Sequence, residues 1–116
     1  MYMSSFKSLP EFEKEKKKLA KKFRSLETDL TTFEKILRIS PIGIGKNFTI
    51  LHTDEHTQIV KARLACRSLR SRSLRIVYAY HQSKVTFMYI ELYFKGNKES
   101  EERERIREYL DSVKEI

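Results

Sequence analysis

The sequence predicts one α+β domain. Two N-terminal helices form a hairpin packed on one face of a mainly antiparallel sheet of about four strands, and a further helix closes the chain. Three observations predict this. Apolar residues recur at helical spacing before residue 40 and after residue 100, they alternate between residues 58 and 95, and the links between the alternating segments are short. The 116 residues fit a single domain, 1–116, able to bury one modest core.

Residues 1–7 are mixed and short, a candidate first strand. Ser8, Pro10 and Glu11 open a helix: a capping hydroxyl, an early proline and an early acid. Phe12, Leu19 and Phe23 share one side of it, with lysines on the others. Ser25 opens the second helix, whose stripe is Leu26, Leu30, Phe33 and Leu37, and Ser40-Pro41 ends it. The stretch from Gly43 to Glu55 carries no clear period. Three strands follow. In the first, residues 58–66, Val60, Ala62 and Leu64 face one way and Lys61 and Arg63 the other. In the second, residues 74–80, Leu74, Ile76, Tyr78 and Tyr80 oppose Arg75, Val77 and Ala79. In the third, residues 85–95, Thr86, Met88, Ile90, Leu92 and Phe94 are expected on the apolar face, with Glu91, Tyr93 and Lys95 opposite. The last helix starts near Ser100, with Ile106, Leu110 and Val113 inward. The sheet face away from the hairpin is expected to be free.

Charge is distributed unevenly. The chain carries a net +8, and the block from His56 to Ile90 holds seven cations, Lys61, Arg63, Arg67, Arg70, Arg72, Arg75 and Lys84, with no Asp or Glu. Lys61 and Arg63 leave the same side of one strand, Arg75 joins them from the next, and Tyr93 with Lys95 from the third. Cations gathered on one face with no acid in the block cost stability, whereas a polyanion docking there explains them. Arg67, Arg70 and Arg72, in the connection between strands, extend the expected nucleic-acid contact, as does Tyr93.

Other chemistry has little support. Cys66 is the lone cysteine, so no intrachain disulfide forms; it reads as a buried thiol in a reducing, cytoplasmic setting. No apolar run reaches the ~18 residues of a membrane span. His52, His56 and His81 sit in or near turns and read as surface residues. No ligand spacing suggests a metal, and no cofactor is expected.

The ordered series Ile59-Val60-Lys61-Ala62-Arg63-Leu64, Arg75-Ile76-Val77-Tyr78 and Phe87-Met88-Tyr89-Ile90-Glu91-Leu92-Tyr93-Phe94-Lys95, after the opening Ser8-Leu9-Pro10-Glu11-Phe12-Glu13-Lys14, resembles the RelE/ParE toxin superfamily over nearly the whole chain. The resemblance implies a RelE-like fold and a toxin of a type II toxin–antitoxin pair, with a cognate antitoxin protein as partner. It further implies metal-independent cleavage of messenger RNA in the ribosomal A site. The family's basic functional residues carry over to Lys61, Arg63, Arg75 and Lys95. The chain departs from RelE itself in lacking a tyrosine between Gly96 and Arg105. Tyr93 is the expected substitute.

Cutting RNA through its own 2′-hydroxyl needs a base, a stabiliser for the phosphorane and an acid for the leaving oxygen. Arg63 and Arg75 suit the phosphorane. Lys61, Lys95 or Glu91 can serve as base; Glu91 can instead be an ion-pair partner of Arg63 or Arg75. Two alternatives share the fold expectation: a ParE-like toxin that binds DNA gyrase, and a non-catalytic RNA-binding module.

Overall fold

The computed structural model describes residues 4–70 and 72–114, so the first three residues of the candidate opening strand lie outside the described residues. The elements in chain order are β1 (Ser5–Ser8), α1 (Pro10–Lys22), α2 (Leu26–Ile39), β2 (Phe48–Thr53), β3 (Thr57–Ala65), β4 (Ser73–His81), β5 (Thr86–Phe94) and α3 (Arg103–Lys114). One sheet of five strands results, in the order β1-β5-β4-β3-β2. It has one strand more than expected, because Phe48–Thr53 pairs antiparallel with β3. β1 pairs parallel with β5, and the remaining pairs are antiparallel.

α1 opens without the side-chain cap expected of Ser8. That residue ends β1, and Leu9 holds the N-cap position in extended backbone, with Pro10 at the first helical turn. The two N-terminal helices each sit on the sheet, α1 over β5 and α2 over β3, more than on one another. Their stripes build the main core: Phe12, Phe23, Leu26, Leu30, Phe33 and Leu37 meet Val60, Ala62, Leu64, Leu74, Ile76 and Tyr78. Leaving that many large side chains in water would cost about 1.5–3 kcal/mol each. The core therefore fixes which face of β3 and β4 points away from the helices. Gly43 is required where the α2–β2 connection passes Phe48. Its φ is +72°, and a Cβ there would lie 2.1 Å from the Phe48 ring.

The opposite face is not free. α3 covers one end of it, where Ile106 and Tyr109 bury Ile59, Val77, Ala79 and Ile90. The face of β5 also departs from simple alternation. Val77 pairs with Glu91 and Tyr78 with Tyr89, so Ile90 is an extra residue, a β-bulge. Before the bulge Phe87 and Tyr89 join the core under α1 and α2, while Met88 and Ile90 turn to α3. After it Leu92 and Phe94 join that same α1/α2 side. The expected grouping of Thr86, Met88 and Ile90 with Leu92 and Phe94 is thus corrected: one inserted residue exchanges the faces of the first half of the strand.

Candidate functional site

Pairing and alternation place the basic residues. Arg63 of β3 lies directly opposite Arg75 of β4, and Arg75 opposite Tyr93 of β5. All three point away from α1 and α2; Arg63 and Arg75 line the end of the sheet that α3 does not cover, whereas Tyr93 packs in the apolar cluster with Ile106 and Tyr109 of α3. Lys95, just past β5, borders the same recess of about 330 Å³ together with Arg63, Arg72 and Arg75. Arg72 reaches it by laying its guanidinium 4.7 Å from the centre of the Phe94 ring. A smaller adjoining hollow adds Lys46 and Lys61.

Two arginines opposed across a strand pair repel each other. Arg75 spreads its charge by donating to its neighbour Ser73, 2.8 Å to Oγ and 3.3 Å to the carbonyl. No carboxylate pairs with Arg63, Arg75 or Lys95 among the described residues. Such a set suits an anion: the two guanidiniums are planar donors that stay charged and can grip two phosphate oxygens at once, and Lys95 adds a compact ammonium beside them.

Lys61 departs from the expectation of unpaired cations. Its Nζ donates 2.9 Å to Oε1 of Glu101, whose side chain is buried. Burial would raise the Glu101 pKa, but the Lys61 hydrogen bond, its own backbone amide and the charges of Lys61 and Arg103 outweigh that and hold it below the usual range. The acid missing from the basic block is supplied from 40 residues further along.

Glu91 is neither an exposed base nor the partner of Arg63 or Arg75. It is fully buried; one oxygen accepts from Lys98 Nζ and the other from the Glu102 amide at 2.7 Å. Lys98 also reaches Glu102 at 2.8 Å and sits 5.6 Å from the centre of the Tyr93 ring. These contacts bind the segment between β5 and α3 to the sheet. Tyr93 is nearly buried, and burial raises its pKa, helped by Glu101 and Glu91 and opposed by Arg75 and Lys98. It remains protonated at neutral pH and is a donor. Its hydroxyl makes no hydrogen bond among the described residues.

The remaining expected contacts divide. Arg72 belongs with Arg63, Arg75 and Lys95; Tyr93 lies opposite Arg75 across the strand pair but does not line the recess. Arg67 and Arg70 do not: they follow β3 into a separate cleft beside α2. His81 is not a surface turn residue. It ends β4 half-buried, Nδ1 3.2 Å from the Thr57 hydroxyl and Nε2 bonded to the Tyr109 hydroxyl. Burial, with the charge of Lys84, lowers its pKa against a smaller opposing pull from Asp54. His52 pairs with Asp54 at the surface, 2.9 Å away. Cys66 is a buried free thiol. Sequence reasoning missed Lys46 and Glu101. The first lies in a stretch without period; the second stands past a strand break, with nothing local to tie it to Lys61.

Among the described residues no group of three or more His, Cys, Asp or Glu side chains is placed to hold a metal, and no helix is long and apolar enough to cross a membrane. No family model matches the chain, and no curated protein does. A solved structure does: a chain of the crystal structure of the archaeal RelE–RelB complex from Pyrococcus horikoshii superposes with a TM-score of 0.63 at 18% identity, over 82% of this chain and 98% of that one. With its sheet order, helices and core, the chain has a RelE-like fold.

Proposed function

We propose that this chain is the toxin of a toxin–antitoxin pair and cleaves messenger RNA without a metal, in the ribosomal A site, at the uncovered end of its sheet. The observation that carries this reading is the direct opposition of Arg63 and Arg75, with Lys95 beside them and, among the described residues, no carboxylate to neutralise any of the three. A fold that spends stability on opposed cations recovers it when a phosphate arrives.

In this reading Arg63 and Arg75 hold the scissile phosphate and stabilise the charge that grows as the 2′-oxygen attacks. Arg72 and Lys46 hold flanking phosphates. Tyr93 donates a hydrogen bond from the β5 side, and Lys95 is the amine placed to move a proton. Lys61 is a positioning residue, because its nitrogen is engaged with Glu101. The antitoxin is a protein partner drawn to the same cationic surface.

Single-turnover cleavage of a messenger held in a ribosomal A site tests this. Cleavage should survive EDTA and leave 2′,3′-cyclic phosphate and 5′-hydroxyl ends. Arg75→Ala should slow the step by about 10²–10³-fold, the usual cost of losing one transition-state donor.

A second reading, a toxin that binds gyrase, gains support from the engaged Lys61 and from the lack of a tyrosine between Gly96 and Arg105. Pulse-labelling after brief expression separates the two: early loss of protein synthesis favours cleavage, and early loss of DNA synthesis favours gyrase.

A further inference from the structure

One acid reaches the basic end of the sheet. Glu101 lies between β5 and α3, with its side chain 4% exposed, and its Oε1 accepts from Lys61 Nζ at 2.9 Å. Among the described residues it is the one carboxylate bonded to any side chain that lines the basic recess or the adjoining hollow. Its other oxygen lies 3.7 Å from Arg103, whose side chain is 86% exposed. A contact that wet compensates a buried charge poorly. The backbone around Glu101 is pinned. Buried Glu91 accepts from Lys98 on one side of it and from the Glu102 amide, at 2.7 Å, on the other. The carboxylate is therefore a fixed point behind Lys61.

Lys61 faces two ways. Thr49, Lys61, Val77 and Glu91 form one cross-strand row, and Arg63, Arg75 and Tyr93 form the next. Lys61 also lines the hollow of about 170 Å³ that it shares with Lys46, Arg63, Arg75 and Lys95. Glu101 lines neither cavity. An ammonium carries three N–H donors, so the bond to Glu101 leaves two for an anion in the hollow. A lysine stem is flexible, and the cations beside it push its head outward. Glu101 opposes both effects. An arriving phosphate has little power to draw Lys61 away, because a buried carboxylate stripped of its partner is strongly destabilising. The ammonium stays bonded to Glu101 while it meets the anion.

We propose that Glu101 is a positioning residue of the phosphate site: it holds the Lys61 ammonium against the hollow and offsets one positive charge there, so that RNA is gripped in place and not only tightly. Lys61 positions the phosphate, and Glu101 positions Lys61. The inference rests on the cleavage reading above for its effect on rate; its effect on binding follows from the hollow alone.

The test compares Glu101→Gln, Lys61→Met, the double variant and the exchanged pair Lys61→Glu/Glu101→Lys, each with its melting temperature. Binding is measured with a short RNA carrying a 2′-deoxy sugar at the cutting position. Glu101→Gln should bind it about three- to tenfold more tightly, with a salt dependence steeper by about one phosphate contact, because the Lys61 charge is no longer offset. Its single-turnover cleavage at saturation should be slower by about tenfold, the cost of a loosened contact. Tighter binding with slower cutting is a split that damage to the fold does not give. The double variant should cut no more slowly than Lys61→Met, since Glu101 acts through Lys61. The exchanged pair should melt like the wild type and still cut poorly, because it puts a carboxylate in the hollow; it decides the matter if Lys61→Met does not fold.

The proposal is overturned if Glu101→Gln cuts at the wild-type rate or binds more weakly, if the two single losses multiply in the double variant, or if the exchanged pair cuts normally. Failure of the cleavage reading looks different: the wild-type chain binds the oligonucleotide and cuts no messenger. The binding measurement then decides alone, with a steeper salt dependence in Glu101→Gln supporting the proposal and an unchanged one overturning it. A wild-type chain that binds no oligonucleotide overturns both.

Discussion

The two ends of the sheet face opposite α1 and α2 obey the same alternation and have opposite fates. At one end Ile59, Val77, Ala79 and Ile90 are sealed under Ile106 and Tyr109 of α3. At the other, Arg63 and Arg75 stand in a recess with Lys95, uncovered by α3. Length decides where the boundary falls. α3 has 12 residues, about 18 Å at helical rise, while the nine residues of β4 span about 30 Å. Even laid along the strands, the helix leaves about two fifths of the face bare. The boundary itself runs through Lys61 and Glu91, whose charges are bonded to the segment that precedes α3. Alternation determines which side a residue faces; whether it becomes core or site depends on what covers it.

That contrast can be broken from either end. The largest effect is expected at the open end, where Arg75→Ala should cut the rate by the 10²–10³-fold given above while leaving thermal stability unchanged or higher, since it removes a like-charge opposition. Ile106→Ala, at the closed end, should do the reverse and lose about 2–4 kcal/mol in urea unfolding, with a near-normal rate per folded molecule. A large rate loss in Ile106→Ala with the fold intact would erase the distinction. At the boundary, Lys98→Met strips the ammonium from the buried Glu91 carboxylate and should cost about 3 kcal/mol by the same measurement.

A smaller effect sharpens the closed end through pH. The His81 pKa is lowered in the folded chain, so between that value and the unfolded one, near 6.5, the unfolded chain binds more protons. Stability is then fully present above about pH 7 and is lost as the pH falls through this window. Melting temperatures between about pH 8 and pH 5 should show this slope, and His81→Gln should flatten it. The smallest expected effect lies in the β4–β5 turn. Val85 has φ +47°, a left-handed conformation that a β-branched residue resists. Val85→Asn should raise stability by about 0.5–1 kcal/mol in thermal unfolding.

Much of this was legible in the sequence, for physical reasons specific to each part. β3 and β4 alternate cleanly because each has a helix-covered face and a mixed one, so Lys61, Arg63 and Arg75 could be assigned to one side. β5 is apolar on both sides, Phe87-Met88-Tyr89-Ile90, and such a run gives no sign of where a bulge falls. β2 is an edge strand with its own register shift between Ile50 and His52, which removes the period a reader would look for. β1 has four residues, too few to show a pattern or to announce a parallel partner. The separation of Arg67 and Arg70 from Arg72 was not readable either. It depends on the short 3₁₀ turn Arg67–Leu69 and on Arg70, whose φ is +57°.

β5 holds one more consequence. β1 covers its outer edge only as far as Tyr89. Beyond that, the Leu92 amide donates to Oε1 of Glu15 at 3.1 Å and the Ile90 carbonyl accepts from Arg105 at 3.0 Å, while Glu15 and Arg105 clasp each other at 2.9 Å. A carboxylate and a guanidinium thus occupy the main-chain groups that would otherwise template a neighbouring molecule's strand. Arg105 belongs to α3, which is made after every strand of the sheet. During synthesis, and after any truncation that removes α3, this edge is exposed on an otherwise formed sheet. Self-association is the hazard at that stage, and the clasp is what ends it.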